Sequence, residues 1–288
     1  MNKRLIHSVI IMELENTWIH DFGKFKMVLD ENDSDVSNQI REYGLYEDEK
    51  LEIQTFEKYI KKGMTVLDLG ANVGFYTMLS RSLVRENGRV FAFEPSSRNA
   101  NLIRASIEEN SFTNVKVIEA AVSDEIGVSK LHLSPNLNSG HSLLNLDFKY
   151  DKNWEGEKTA DVKVITIDDY LEKKVGDFKV DFIKMDIEGS EFRAIKGMKR
   201  VFDANEHLIL ISEFWPNGFL KNNKNPKDYL EMLAGLNFTI NHIDELQGKV
   251  YPVSAKQLIE IANSRKEIAE QDKDTRFWGY YTNIICIR

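Results

Sequence analysis

The stretch VLDLGANVGFYT, residues 66–77, decides the fold. A short apolar strand ends around Asp68, the chain turns through Gly70, Ala71, Asn72, Val73 and Gly74, and a helical pattern opens at Phe75. Glycines in such a turn permit backbone dihedrals closed to other residues and let a bulky ligand approach the main chain. The helix N-terminus beyond it offers free N–H groups to a carboxylate or phosphate. A nicotinamide fingerprint would read G-x-G-x-x-G. Here the turn reads G-A-N-V-G, which disfavours a dinucleotide enzyme.

Working outward, strands and helices alternate. Strands are expected over 65–69, 89–93 and 115–122, with helices over 75–84 and 97–109 between them. After residue 167 the alternation resumes, with strands over 180–187, 207–214, 238–243 and 281–287 and helices over 191–199, 226–234 and 254–261. Such a pattern predicts a mostly parallel sheet with helices on both faces. Residues 123–167 break the rhythm: two strand-like pieces flank an Asn-, Ser-, Gly- and Asp-rich stretch, and a long irregular segment inside a compact domain is usually functional or mobile. Upstream, residues 1–46 read as an N-terminal extension that packs on the main domain, with short β-like pieces over 16–20 and 25–29. The main domain is expected over 47–288, opening with a helix over 47–60.

Composition bounds the function. Of 288 residues, 42% are hydrophobic and 29% charged, as in an ordinary soluble globular protein. The formal charge of −8 argues against general affinity for nucleic acid, whose backbone is bound mainly by Lys and Arg. The single cysteine, Cys286, excludes an internal disulfide and reads as a buried strand residue. No signal peptide and no apolar run of membrane-spanning length is evident, so a cytoplasmic location is expected.

Two further elements carry chemistry. Glu94 closes the second strand in RVFAFEPS, twenty positions after Gly74, where a carboxylate can accept hydrogen bonds from both ribose hydroxyls of a nucleoside ligand. Its substitution is expected to weaken ligand binding more than the fold. In FIKMDIEGSE, residues 182–191, strand alternation puts Lys184, Asp186 and Glu188 on one side. Asp186 reads as chemistry, while Lys184 and Glu188 read equally as structural partners or as part of the site. Glu213 ends the next strand in ISEFWP and should face the same crevice, as a general base, a metal ligand or a plain strand-end acid. His141, in the irregular insertion, can take a hydroxyl proton near neutral pH.

The ordered motifs D-x-G-A-N-x-G, F-E-P, A-V-S-D-x-x-G and K-x-D-I-E-G-x-E resemble the FkbM-type methyltransferases, over about residues 47–216. The resemblance implies a Rossmann-like class I methyltransferase fold, doubly wound with a C-terminal antiparallel strand, S-adenosylmethionine as donor, and a hydroxyl oxygen of a small molecule or glycan as acceptor. Asp68 and Gly70 would hold the donor's methionine part, Ala71, Asn72 and Gly74 would complete the turn, and Glu94 would bind ribose. Where many such enzymes place an Asp near adenine, this chain has Ala121. Adenine contacts are therefore expected from backbone groups, Pro95, Ser96, Ser123 or Asp124. The mechanism implied is in-line displacement at the sulfonium methyl, with His141 as base and Lys184, Asp186 and Glu213 around the reacting oxygen. No metal ligand is assigned, although an ion on Asp186 and Glu213 is the alternative to a base. A non-catalytic or nicotinamide-dependent protein acting on sugars is the competing function.

Overall fold

The computed structural model describes residues 14–44, 49–134, 140–145, 156, 158–271 and 281–288, the side chains of 266–271 excepted. A hairpin of β1 (Thr17–Asp21) and β2 (Lys26–Asp30) is followed by the helices Val36–Tyr43 and Lys50–Tyr59. Then come β3 (Thr65–Leu69), the helix Phe75–Val84, β4 (Arg89–Phe93), the helix Ser97–Glu109 and β5 (Val115–Ile118). Strands β6 (Ala121–Val122), β7 (Gly127–His132) and β8 (Thr159–Ile165) form a small sheet in the order β6-β8-β7. The second half runs β9 (Phe182–Met185), the helices Glu191–Lys196 and Lys199–Ala204, β10 (Ile209–Phe214), and the helices Pro216–Lys221 and Pro226–Gly235. It ends with β11 (Thr239–Asp244), β12 (Lys249–Pro252), the helix Ala255–Gln271 and β13 (Thr282–Ile287).

The main sheet has the order β12-β11-β13-β10-β9-β3-β4-β5. Strands β5, β4, β3, β9 and β10 are parallel, and β13 lies antiparallel between β10 and β11. The doubly wound sheet with a C-terminal antiparallel strand is thus the fold the alternation predicted. Both faces are buried, and successive strand residues serve opposite cores. Leu67, Ile183, Leu210, Ile284 and Cys286 enter one cluster, and Val66, Phe182, Ile211 and Ile285 the other. Each such side chain contributes roughly 1.5–3 kcal/mol by leaving water. Cys286 is a buried strand residue, as expected.

Three local departures from the sequence reading have physical causes. The strand expected over 115–122 is broken: Glu119 is drawn outward by Arg104 at 3.0 Å and by Ser97. The chain turns there, and Ala121–Val122 pairs with β8 instead. The polar segment after β2 continues into the helix Val36–Tyr43, whose first turn is capped from outside the usual N-cap position: Asp33 accepts the Ser37 N–H at 2.9 Å, while the N-cap Asp35 side chain makes no such bond. The particular bonds by which the hairpin is held to the rest of the chain left no trace in the sequence. Ser106 Oγ accepts the Val28 N–H at 2.9 Å, and Asn110 both accepts the Lys26 N–H and donates to its carbonyl. The helix Ser97–Glu109 and its cap thereby satisfy the hairpin edge. Met27, Leu29, Val36, Ile40 and Phe56 complete the core on the Val66 face. Among the described residues, no helix is long and apolar enough to cross a membrane.

From β3 the chain winds outward to β4 and β5, then returns to lay β9 on the other side of β3. In open sheets this switch point opens a crevice beyond the strands' carboxyl ends.

Candidate active site

A cleft lies at the switch point, its empty space of about 950 Å³ including open solvent. The turn after β3 supplies Gly70, Ala71, Asn72 and Val73; the end of β4 supplies Glu94 and Pro95; Ala120, Ala121 and Val122 form a further side. Opposite stand Asp186, Ile187, Glu188 and Ser190, with Leu131, His141 and Leu143 from the small sheet and the insertion, and Val36 from the N-terminal helix. Most of the 134–156 insertion (135–139 and 146–155) and Trp154 and Trp278 fall outside the described residues.

The turn's glycines are required by the protein's own packing. Gly70 has φ +81°, and a Cβ there would lie 1.8 Å from the Asp186 carbonyl oxygen, because the chain leaving β9 crosses directly over it. Gly74, at φ +95°, would meet Ile103 of the helix Ser97–Glu109 at 2.8 Å and does not line the cleft. Glu94 holds the same turn from inside. Its Oε2 accepts the Asn72 N–H and its Oε1 the Ser96 N–H, both at 2.8 Å. The Asn99 side chain donates to it as well, so a position remains on this carboxylate for a ribose hydroxyl. Burial pushes the Glu94 carboxyl up to about 8 against these N–H groups. Glu94 is therefore a clasp of the turn as well as a candidate ligand group.

Asp68 is buried and accepts a hydrogen bond from Thr77, while burial lifts it to about 6. Lys184, 1% exposed, pairs with the fully buried Glu52 at 3.1 Å and with Asp186 at 3.2 Å, its Nζ lying 5.0 Å from the Tyr76 ring centroid. Burial alone would lower the Lys184 pKa, but Asp186, Glu52 and Glu49 together hold it well above the usual range. Tyr76 donates to Glu49 at 2.7 Å. Glu49 and Glu52 sit at the start of the helix Lys50–Tyr59, whose first N–H groups, Leu51 and Glu52, are accepted by Glu245 at 2.9 and 2.7 Å. Sequence reasoning missed Glu49, Glu52 and Glu245, since the acidic helix start at 47–52 resembles a solvated one.

Asp186, Glu188 and Glu213 offer carboxylate oxygens all within 4.8 Å of one another. Glu188 sits at φ +52°, a left-handed conformation rare outside glycine, which clusters at sites where the surroundings enforce it. The cause is visible: Ser142 Oγ donates to its carbonyl at 2.8 Å, while Glu191 accepts the N–H groups of Ile187 and Gly189 on either side. Burial, then the neighbouring acids, drives Glu188 and Glu213 well above the usual carboxylate range. Glu213 lies behind the cleft lining rather than on it. His141 lines the cleft; its Nδ1 accepts the Ser134 N–H at 3.1 Å, and burial lowers its pKa.

Three expected donor contacts lie elsewhere. Ser96 is off the lining because its N–H is turned to Glu94. Ser123 is buried with its N–H on the Ile165 carbonyl, and Asp124 faces outward to Arg193 at 2.7 Å. The bend after β5 carries both away into the small sheet. Pro95 and Ala121 do line the cleft, as expected.

The charge of the cleft fits the donor implied by the sequence. Its lining carries Glu49, Asp68, Glu94, Asp186 and Glu188 against Lys184 and a His141 whose pKa burial lowers. These carboxyl groups can accept hydrogen bonds from an ammonium or from hydroxyls, whereas Lys184, already paired twice, has little to offer a pyrophosphate.

Comparison with known proteins agrees with this geometry. The FkbM methyltransferase domain matches residues 68–246, more than half the chain. Methyltransferase sdnD of Sordaria araneosa is 22% identical over 175 residues, covering 53% of this chain and 67% of its own. Among solved structures, a SAM-dependent methyltransferase from Aquifex aeolicus aligns with TM-score 0.41 and 16% identity, covering 83% of this chain and 89% of its own. An O-methyltransferase from Bacillus cereus in complex with SAH aligns with TM-score 0.42 and 14% identity, covering 83% and 80%. The family match sets aside the nicotinamide alternative: this chain belongs to the FkbM family of methyltransferases, whose methyl donor is S-adenosylmethionine.

Proposed function

We propose that the enzyme methylates a hydroxyl oxygen of a small molecule, a sugar or glycan among the candidates. The observation that carries this reading is that Asp186, Glu188 and His141 all line the one cleft, with Ser142 beside His141 bonded to the Glu188 carbonyl. These are groups that hydrogen-bond an alcohol or phenol. The donor supplies a sulfonium methyl; the chain's residues orient the oxygen and take its proton.

The tautomer of His141 shapes the roles. Because Nδ1 accepts the Ser134 N–H, the proton of the neutral ring sits on Nε2, which then donates. His141 in this state positions the acceptor oxygen, in place of the base role expected from the sequence. Asp186, on the cleft and beside Lys184 at 3.2 Å, is the group placed to accept the hydroxyl hydrogen. The docked part of the insertion supports an acceptor pocket here. Ser142 bonds the Glu188 carbonyl, and a Cβ on Gly189 would touch Leu144 at 2.8 Å, so this segment packs on the acidic turn.

The test is methyl transfer from labelled donor to a panel of hydroxylated acceptors, with the product's methyl position read by NMR. An O–CH3 product whose turnover falls roughly tenfold or more in His141→Ala, with donor affinity unchanged, supports the reading. Transfer to nitrogen or carbon overturns it, and tight S-adenosylhomocysteine binding with no transfer to any acceptor points to a binding protein.

A further inference from the structure

We propose that Asp186, Glu188 and Glu213 form a divalent-cation site at the acceptor end of the cleft. The inference rests on the hydroxyl-acceptor reading above for its purpose, though not for its geometry.

The spacing is that of one coordination sphere. Hard divalent cations bind oxygens at roughly 2.0–2.6 Å, so two ligands on one ion lie no more than about 5 Å apart. The three carboxylates meet that limit, with oxygens all within 4.8 Å. They come from two neighbouring strands' ends, Asp186 and Glu188 after β9 and Glu213 at the end of β10.

The hydrogen bonding around the cluster is unfinished. Glu213 is more than nine-tenths buried, and its Oε2 meets no donor. Fully buried Glu191 spends Oε1 on two backbone N–H groups and leaves Oε2 without a partner. Ser190 Oγ, on the cleft lining and 1% exposed, is likewise unpartnered. Buried polar oxygens are nearly always satisfied, and several orphans in one place mark a missing partner. Lys184, the one lysine on the cleft lining, is already shared between Asp186 and Glu52.

Asp186 and Glu188 are partly exposed to the cleft, so an ion held here keeps coordination positions for a ligand. An acceptor hydroxyl bound there loses its proton to solvent more readily. The O–CH3 bond then forms as the S–CH3 bond breaks, its electron pair returning to sulfur as a neutral thioether. The favoured acceptor is one whose hydroxyl, or hydroxyl with an adjacent oxygen, can bind a hard cation.

The test is titration of the full chain with Mn2+ followed by electron paramagnetic resonance, without donor or acceptor. We expect saturable binding of one ion per chain with a dissociation constant below about 1 mM. Glu213→Gln, which keeps shape and loses charge, should weaken it at least tenfold, and Glu188→Ala likewise. Mn2+ should raise the melting temperature of the parent and not of Glu213→Gln, which also reports whether the variant is folded. No saturable binding at 1 mM Mn2+, or equal binding by parent and both variants, overturns the site. Methyl transfer to an alcohol that continues in chelator overturns the site while leaving the hydroxyl-acceptor reading standing. Mn2+ binding with transfer only to nitrogen does the reverse.

Discussion

Glu94 makes donor binding depend on pH in a direction the structure fixes. In the free protein, burial raises its carboxyl to about 8, so at pH 7 most molecules hold a proton there. The Asn72 and Ser96 N–H groups each bond one oxygen, the Asn99 side chain donates as well, and a ribose hydroxyl would donate to the position left. Donation favours the charged form, so the bound carboxyl has the lower pKa and donor binding expels the proton. The donor therefore binds weakly in acid, gains as the pH rises, and levels off above about 8. Each pH unit below 8 costs about 1.4 kcal/mol, up to tenfold in affinity. Between pH 8, where half the molecules already hold the proton, and pH 6.5 the loss is about 1.6 kcal/mol, or roughly fifteenfold. The donor's own amino group titrates in the same range, so the informative quantity is the difference between the parent and Glu94→Gln. Calorimetry from pH 6.5 to 8.5 in buffers of different ionisation enthalpy measures affinity and proton release together. The parent should release one more proton than Glu94→Gln near neutrality. Equal slopes in the two proteins would refute the ribose assignment.

Gly70→Ala should prevent folding or lower the melting temperature by many degrees, because its Cβ meets the Asp186 carbonyl at 1.8 Å. Gly63→Ala, at φ +85° with open space around it, should lose only about 1–2 kcal/mol by thermal unfolding. Lys184→Met should cost about 3–5 kcal/mol by stranding Glu52, and adding Glu52→Leu should recover much of it in denaturant titration. Glu245→Ala should remove a helix cap at a cost of about 0.5–2 kcal/mol while leaving the cleft side chains in place, measured by chemical unfolding and donor affinity.

The sheet was legible because its signals are local. A doubly buried strand such as Thr65–Leu69 is a continuous apolar run, and the glycines after it announce a turn whatever they pack against. What the glycines are for was not legible: the atom that forbids a side chain at Gly70 belongs to a residue 116 positions later, Asp186. Asp68, Glu94 and Asp186 could be singled out because each stands at or just past a strand's carboxyl end, a place the strand pattern itself locates. Glu49, Glu52 and Glu245 could not, because a carboxylate turned inward and one turned to water look alike in sequence. His141 was recognised as a candidate, but its tautomer depends on a backbone N–H at Ser134 that no motif encodes.

The boundary of the matched family domain, at residue 68, falls inside the working unit of this protein. Glu49 and Glu52 precede it, as do Val36 on the cleft and the side chains of Met27, Leu29, Ile40 and Phe56 that cover one face of the sheet. A protein shortened to the matched stretch would strand the Lys184 ammonium, free the Tyr76 hydroxyl and bare the Val66 side of the sheet to water. Residues that recognition of the family leaves out are thus those that make the catalytic half watertight, and any expression variant, chimera or domain graft has to carry them along.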